Sequence, residues 1–355
     1  MPDISGLQEL GYSLRGQALF EPDATEGLAP ARKVRSDRGG ALIATPDGVV
    51  RAKPSARLLK SASGSADLPA AGDWVAAGVP DGLDTPQVEA VLERASTVMR
   101  GDPGKDSETQ VLAANVDTVF IVHPIAESPN LRRIERELSL AWDSGAIPVV
   151  VLTKADLSAD PEAGRAEVQT VALDVDVLVT SALTSKGVEP LLEYISGYRT
   201  AVLIGSSGAG KSTLINALLG EQRQATRDVR VSDGRGRHTT IARELFQMPG
   251  GGILIDTPGL RSLGLTGSEL GISSAFSDIE QFARSCRFRD CVHDNEPGCA
   301  VRSAIESGEL APERLASYQK LAREVQVVAT KTDARLRAEE DRKGKNTSGR
   351  LPRRR

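Results

Sequence analysis

Residues 201–213 read AVLIGSSGAGKST, an apolar run followed by a glycine-rich turn. The turn at 205–212 matches the pattern G-x-x-x-x-G-K-[S/T], and it lies between a predicted strand and a predicted helix over 212–219 that ends at Gly220. In this context the backbone N–H groups surround a phosphate, the lysine reaches the outer phosphates and the serine hydroxyl binds Mg²⁺. The pattern predicts a nucleotide phosphate site made of Gly205, Ser206, Ser207, Gly208, Ala209, Gly210, Lys211, Ser212 and Thr213, with Lys211 also catalytic.

Strand-like and helix-like segments alternate on both sides of this loop. The apolar runs DTVFIV, IPVVVL, VDVLVT and TAVLIG are separated by predicted helices at 130–143, after Asp160 and at 189–195. Such alternation is typical of a parallel sheet with crossover helices. The first hundred residues instead show short apolar runs with turn signals such as Pro46-Asp47-Gly48, which predicts a small antiparallel β domain. The polar stretch 100–110 is predicted to be a linker or mobile loop.

Two short motifs follow strands of the predicted parallel sheet and indicate how a base is read. Thr153, Lys154, Ala155 and Asp156 follow PVVVL, and Ser181 and Ala182 follow VDVLVT. A carboxylate at Asp156 can accept hydrogen bonds from N1–H and the exocyclic amine of guanine, which adenine does not offer. Ligands of open α/β sheets bind at the carboxyl ends of strands, so both motifs are predicted to bind guanine.

Three further elements point to the reacting end of the nucleotide. Asp256 and Gly259 of DTPG follow the strand GGILI, where they would hold Mg²⁺ through water and contact the γ-phosphate. Thr239 or Thr240 could contact Mg²⁺. His238 beside them either positions the attacking water or is an ordinary solvated loop histidine. Leu260 and Arg261 follow DTPG where many GTPases carry a water-orienting glutamine, so we expect slow intrinsic hydrolysis.

The order of these elements along the chain is unusual. Conventional GTPases carry the phosphate loop first and the base-reading motifs last, whereas here 153–156 and 181–182 precede 205–212. The order predicts a circularly permuted domain, which joins the γ-phosphate element directly to the segment that follows it.

That segment contains all three cysteines of the chain. Cys286, Cys291, His293 and Cys299 follow the spacing C-x4-C-x-H-x5-C, a ligand set for a closed tetrahedral structural zinc site. Further helices are predicted to about residue 340. Residues 331–355 then carry ten Lys or Arg against four Asp or Glu, and this basic tail either attracts phosphate or is simply solvated and disordered.

Length and composition exclude several classes of protein. The 355 residues, 40% hydrophobic and 26% charged, are too many for one small module and too apolar for a disordered chain. A net charge of −4 excludes a bulk polycation. Apolar runs are too short to span a bilayer, and the first residues lack a secretory pattern, so we expect a cytoplasmic protein that does not bind a membrane.

Together the motifs TKAD, TSA, GSSGAGKST, GRHTT and DTPGL and the cysteine module resemble the RsgA family of circularly permuted GTPases that depend on the small ribosomal subunit. The resemblance covers about residues 5–330. It implies an N-terminal OB-fold β-barrel, a central α/β P-loop GTPase domain and a C-terminal, mainly helical zinc-binding domain. It also implies a role in late 30S maturation with ribosome-stimulated GTP hydrolysis. In the family an asparagine is commoner at the position of Thr153.

The expectations for the whole chain follow from this resemblance. The domains are expected at 1–100, 101–268 and 269–340, with a basic disordered tail at 341–355. The expected cofactors are one structural Zn²⁺ and Mg²⁺ with GTP, and the expected partners are GTP or GDP, the 30S subunit and 16S rRNA, bound by a monomer. Two alternatives remain open, namely a nucleotide-regulated scaffold with negligible turnover and an ATP-using P-loop enzyme.

Overall fold

The structure is a computed structural model of the 355-residue chain. It describes residues 5–24, 26–37, 40–80, 82–100, 110–125, 128–220, 243–257 and 269–348, with the backbone alone at residue 5 and at 331–348. Three predicted sites therefore lie outside the described residues: the linker at 101–109, the loop with His238, Thr239 and Thr240, and the segment with Gly259, Leu260 and Arg261.

The strands, in chain order, are β1 (Ala29–Asp37), β2 (Gly40–Thr45), β3 (Gly48–Pro54), β4 (Trp74–Gly78), β5 (Gln87–Val91), β6 (Thr97–Arg100), β7 (Gln110–Ala114), β8 (Thr118–Pro124), β9 (Ile147–Thr153), β10 (Asp176–Val179), β11 (Thr200–Ile204), β12 (Glu244–Gln247) and β13 (Ile253–Asp256). The helices are α1 (Ser5–Gln8), α2 (Leu14–Ala24), α3 (Ala56–Ser61), α4 (Leu131–Asp143), α5 (Pro161–Gln169), α6 (Lys211–Leu219), α7 (Leu270–Ala275), α8 (Ser277–Ala283), α9 (Ala300–Ser307) and α10 (Pro312–Ser348).

The first five strands form the predicted N-terminal β-barrel. Their order β1-β2-β3-β5-β4 closes because β4 pairs with β1 as well as with β5. Ala31, Ile43, Ala52 and Val75 face the inside and are buried. These mostly small side chains suit the narrow interior of a five-stranded barrel. The predicted turn at 46–47 connects β2 to β3.

Helices α1 and α2 pack on the outside of the barrel, where Leu7, Tyr12 and Phe20 lie with Trp74 in one apolar cluster. These two helices were not predicted. Their sequence contains Gly16 and, inside α2, Pro22, which obscure a helical pattern.

A parallel sheet in the order β10-β9-β8-β11-β13 confirms the predicted α/β domain. Its strands are apolar and buried on both faces, as parallel strands covered by helices usually are. Helix α6 covers one face, and α4 with the C-terminal helices covers the other. The predicted segment 189–195 forms a 3₁₀ helix over Glu189–Tyr194, which has Pro190 in its first turn.

The barrel and the parallel sheet are joined. Antiparallel β12 pairs with β13 and, at Arg35 and Glu244, with β1. Beside this contact the buried guanidinium of Arg32 donates to Leu10 O, to Gly72 O (3.3 Å) and to Oγ1 of Thr200 on β11 (2.9 Å). The two sheets therefore share both backbone and side-chain hydrogen bonds.

Helices α7 and α10 pack on α4, and residues of α7 to α10 share one hydrophobic core with the cysteine cluster. Helix α10 continues to Ser348, so the predicted domain boundary at 340 falls inside a helix and residues 341–348 of the predicted disordered tail are helical. Arg342, Lys343 and Lys345 favour helix there, and Gly344 costs only about 1 kcal/mol relative to alanine. In the described part of the chain no helix is long and apolar enough to cross a membrane.

Candidate nucleotide site and metal centre

The candidate nucleotide site lies where the parallel strands end. Strands β9, β11 and β13 run in the same direction, so their carboxyl ends bring Thr153, Gly205 and Asp256 to one edge of the sheet. The topology of an open α/β sheet makes this edge the usual place for a ligand.

The phosphate loop depends on glycine at its two ends. Gly205 has φ +142°, and a Cβ there would lie 2.3 Å from the carbonyl oxygen of Val122. Gly210 has φ +93° and precedes α6, which begins at Lys211 with no side-chain cap in the described residues. The first N–H groups of α6 are thus left for an anionic ligand rather than for a capping side chain.

Lys211 folds back over this loop. Its Nζ donates to the carbonyl oxygens of Gly205 and Ser206, both at 2.8 Å, and only 9% of the residue is exposed. Burial lowers the pKa of Lys211, and the nearby carboxylates of Asp256 and Glu137 oppose that shift. The ammonium is therefore held over the loop by neutral carbonyls, which a phosphate oxygen would outcompete as an acceptor.

Asp256 faces the same place from the end of β13. It is 4% exposed, burial raises the pKa of its carboxyl, and Lys211 acts in the opposite direction. Its Oδ1 is buried without a hydrogen-bond partner in the described residues. A buried carboxylate oxygen normally has a partner. Together with the hydroxyl-bearing Ser212 at the start of α6, this oxygen fits a hard cation such as Mg²⁺.

Thr153 connects the first base-reading motif to the phosphate loop. Its buried hydroxyl lies 2.5 Å from the carbonyl oxygen of Ala209 and 3.2 Å from that of His123. A hydroxyl has one hydrogen to donate, and the shorter distance assigns it to Ala209. The threonine thus connects the first base-reading motif to the phosphate loop.

The two base-reading motifs touch each other. Lys154 takes a left-handed conformation with φ +59°, the N–H of Ala155 donates to Thr180 O, and Oγ of Ser181 donates to Oδ1 of Asp156 at 2.5 Å. Asp156 is exposed at the edge of the sheet, and Ala182 follows directly on Ser181. The structure therefore brings 153–156, 181–182 and 205–213 together, although they are separated in sequence.

One charged cluster beside the phosphate loop was missed in the sequence. Nε2 of His123, at the end of β8, donates to Oε2 of Glu137 on α4 at 2.5 Å, and Nε of Arg133 donates to the other carboxylate oxygen at 2.9 Å. A histidine that ends the apolar run VFIV and a glutamate on the buried face of an amphipathic helix were the available signals.

The cysteine cluster has the geometry of a metal site. The ligand atoms of Cys286, Cys291, His293 and Cys299 all lie within 4.8 Å of one another. Sγ of Cys286 is 3.9 Å from Sγ of Cys299, and Nδ1 of His293 is 3.7 Å and 3.4 Å from the same two sulfurs. A tetrahedral site with Zn–S of about 2.3 Å and Zn–N of about 2.0 Å has edges of roughly 3.5–3.8 Å, so the arrangement fits zinc.

Local hydrogen bonds and one left-handed residue fix the loop that carries His293. His293 has φ +60°, and the carboxylate of Glu296 accepts from the N–H groups of Val292, Asp294 and Asn295. This turn holds the imidazole between the cysteine side chains.

Comparisons with known proteins agree with these features. The family model described as RsgA GTPase matches residues 91–266. The small ribosomal subunit biogenesis GTPase RsgA of Streptomyces coelicolor is 47% identical, and the match covers 94% of this chain and 91% of that protein. The protein of the same name from Xanthomonas axonopodis pv. citri is 43% identical, with 99% and 96% covered.

Two solved structures share the fold. The crystal structure of YjeQ from Thermotoga maritima matches with a TM-score of 0.61 and 25% identity, covering 84% of this chain and 99% of that one. The structure of YloQ, described as a circularly permuted GTPase, matches with a TM-score of 0.58 and 24% identity, covering 84% and 95%.

Proposed function

The chain belongs to the RsgA family of small ribosomal subunit biogenesis GTPases, and from this premise we propose that residues 153–156, 181–182 and 205–213 form its GTP pocket. The observation that carries the proposal is the pair of bonds that joins the three stretches: Thr153 to Ala209, and Ser181 to Asp156. They place a carboxylate suited to guanine and a loop suited to phosphate at one edge of one sheet.

Each residue has a defined task in this pocket. The free oxygen of Asp156 accepts from guanine, while Ser181 fixes the orientation of the carboxylate. Gly205 and Gly210 let the backbone N–H groups approach the phosphates. When nucleotide binds, Nζ of Lys211 would exchange its bonds to Gly205 O and Ser206 O for bonds to the β- and γ-phosphate oxygens. Ser212 and Asp256 would hold Mg²⁺, which neutralises phosphate charge when bound. Thr257, whose hydroxyl donates to Leu203 O at 2.7 Å, fixes the chain next to Asp256.

Hydrolysis requires groups in segments outside the described residues. We assign water positioning to His238, Mg²⁺ contact to Thr239 or Thr240 and γ-phosphate contact to Gly259, because these residues flank the Asp256 element in sequence and no glutamine follows it. His238→Ala should abolish stimulated turnover while nucleotide affinity stays nearly unchanged. Stimulated turnover equal to that of the unaltered protein would remove the assignment.

Zinc is the proposed metal of the Cys286, Cys291, His293 and Cys299 site. The four protein ligands leave no open coordination position, so the site is structural and not catalytic. Metal analysis should find one zinc per chain, and chelation should unfold the region of α8 and α9, since zinc contributes roughly 10 kcal/mol to the folding of such small sites. A protein that keeps its circular dichroism and its thermal unfolding after complete zinc removal would contradict this role.

The proposed partner is a particle rich in RNA. The family premise implies the small ribosomal subunit as partner, with 16S rRNA as the contacted molecule, a monomer as the bound form and the cytoplasm as its location. The barrel, an architecture that binds oligonucleotides in many proteins, and the basic residues of 331–355 would supply the contacts.

The test is GTP hydrolysis measured with and without purified small ribosomal subunits. We expect slow turnover alone and strong stimulation by the subunit, with ATP not hydrolysed and Lys211→Ala inactive in both conditions. Subunit binding without any stimulation would instead support a nucleotide-regulated scaffold. ATP turnover equal to GTP turnover would support an ATP-using enzyme.

A further inference from the structure

The cluster of His123, Glu137 and Arg133 has no task in the pocket described above. Glu137 is 1% exposed, and its two carboxylate oxygens are taken by Nε2 of His123 and Nε of Arg133. Arg133 keeps 31% of its side chain exposed. Within the described residues, its ion pair with Glu137 uses Nε and leaves the terminal N–H groups at the partly exposed end of the side chain.

The cluster lies next to the phosphate loop, because His123 follows Val122, whose carbonyl contacts Gly205. Strands β8 and β11 are paired so that Val122 O would be 2.3 Å from a Cβ at Gly205, and His123 is the next residue of β8. The backbone oxygen of His123 is 3.2 Å from Oγ1 of Thr153, which also holds Ala209. His123 thus adjoins both ends of the loop and connects it to α4.

The two charges of the cluster act on Lys211. Burial has the largest effect and lowers the pKa of Lys211; the carboxylate of Glu137 opposes that shift, and the guanidinium of Arg133 adds to it. A charge that influences the ammonium also influences the phosphate oxygens that the ammonium binds. At this end of the site GTP differs from GDP by one more charged phosphoryl group.

We propose that Arg133 and Glu137 set the preference of the pocket for GTP over GDP: Arg133 adds a cation that favours the γ-phosphate, and Glu137, held by His123, offsets it. The inference rests on the proposed nucleotide pocket. The bland alternative is an ion pair that only attaches α4 to β8. Breaking a purely structural ion pair would weaken the binding of GTP and of GDP by the same factor.

The experiment compares the dissociation constants of a non-hydrolysable GTP analogue and of GDP for purified full-length variants at fixed Mg²⁺. Arg133→Gln should lower the preference for the GTP analogue by about threefold to tenfold, since one charge acts across a partly solvated gap. Glu137→Gln retains the size of the side chain and removes its charge, so it should raise the preference by a similar factor. Both shifts should shrink with added salt.

The chain offers a matched control on the same helix. Arg136 pairs with Glu324 on α10 at 2.7 Å, so its charge is engaged with the C-terminal module and Arg136→Gln should leave the ratio unchanged. Arg133→Lys keeps the charge and should keep most of the preference, and it tests the idea even if Glu137→Gln fails to fold.

A ratio that is unchanged in Arg133→Gln, or that moves in the same direction in Arg133→Gln and Glu137→Gln, would overturn the inference. A different result would show that the proposed nucleotide pocket itself is wrong. In that case the unaltered protein would bind GTP and GDP no better than Lys211→Ala does.

Discussion

A single hydroxyl group connects the two halves of the proposed pocket. Thr153 Oγ1 donates to Ala209 O at 2.5 Å inside a buried contact between β9 and the phosphate loop. Since β9 precedes the loop by some fifty residues in this permuted chain, the bond helps to fix the position of the base-reading motif relative to the phosphate loop.

Thr153→Val should therefore destabilise the protein. Valine keeps the shape but leaves the carbonyl of Ala209 without its donor, which costs about 1–3 kcal/mol in free energy of unfolding. Urea unfolding measures the loss, and nucleotide affinity should fall with it. Thr170→Val, which removes an exposed hydroxyl that donates to Glu167 O, is the control and should cost under about 0.5 kcal/mol. Equal losses in the two variants would contradict the proposed connection.

A buried lysine in the barrel gives a pH-dependent prediction. Lys33 is 8% exposed, its Nζ donates to Pro69 O at 2.5 Å, and burial lowers its pKa to about 8 from 10.5 despite the attraction of Asp73. Above pH 8 the folded chain thus holds fewer protons than the unfolded chain at this site. Stability then rises with pH, because the unfolded state binds more protons.

The measurement is urea unfolding of the unaltered protein and of Lys33→Met between pH 7 and pH 10. The stability of the unaltered protein relative to Lys33→Met should be lowest below about pH 8 and should increase as the pH rises towards 10.5. Lys60→Met, at an exposed site, should show no such trend. A difference between the unaltered protein and Lys33→Met that does not vary with pH would show that Lys33 is not perturbed.

Helix α4 links the phosphate loop to the C-terminal module. On one side Glu137 contacts His123 of β8, and on another Glu135 is buried against Arg314 of α10 at 2.8 Å. The same arginine pairs with Asp278 of α8 and lies 4.3 Å above the ring of Phe276. In a conventional order of elements the segment after Asp256 would lead back into the GTPase sheet, whereas here it leads into this module.

Arg314→Met should be strongly destabilising. It leaves Glu135, 3% exposed, as an uncompensated buried charge, for which about 3–5 kcal/mol is typical. Arg165→Met breaks an ion pair with Glu162 that is exposed, and should cost at most about 1 kcal/mol. Urea unfolding of both variants gives the comparison. If Arg314→Met is no less stable than Arg165→Met, the ion pairs of Arg314 do not hold the module to α4.

The elements that sequence could predict are those with local patterns. The alternation of apolar runs identified the five parallel strands, and helices α4, α5 and α6 begin within a residue of their predicted starts at 130, after Asp160 and at 212. Asn130 and Asp160 accept from backbone N–H groups three residues on, which is the reason that these starts are readable. The glycine-rich loop and the cysteine spacing are equally local.

Contacts between distant segments could not be predicted in this way. The bond from Thr153 to Ala209, the pair of His123 and Glu137 and the burial of Arg314 each depend on how elements pack. No spacing in the sequence relates such partners. The roles of the individual pocket residues, and those assigned to His238, Thr239, Thr240 and Gly259, stay predictions.

The arrangement of the entire chain makes the barrel and the GTPase sheet one continuous unit. Strand β12 bridges them, and the buried Arg32 ties β1 to Thr200 on β11 while its guanidinium lies 5.2 Å from the centre of the Trp74 ring. Burial lowers the pKa of Arg32 to about 10, and Asp117 and Asp73 oppose the shift.

The permuted order places the proposed guanine-binding motif, 153–156, and the proposed phosphate loop, 205–212, about fifty residues apart in the sequence. Competition of unlabelled nucleotides against labelled GTP tests directly whether the two act as one pocket. Guanine nucleotides should displace the label far better than adenine nucleotides. Asp156→Asn should relax this preference, while Asp160→Asn, four residues on at the exposed start of α5, should retain it. Equal competition by ATP, or an Asp156→Asn protein as selective as the unaltered chain, would contradict the account.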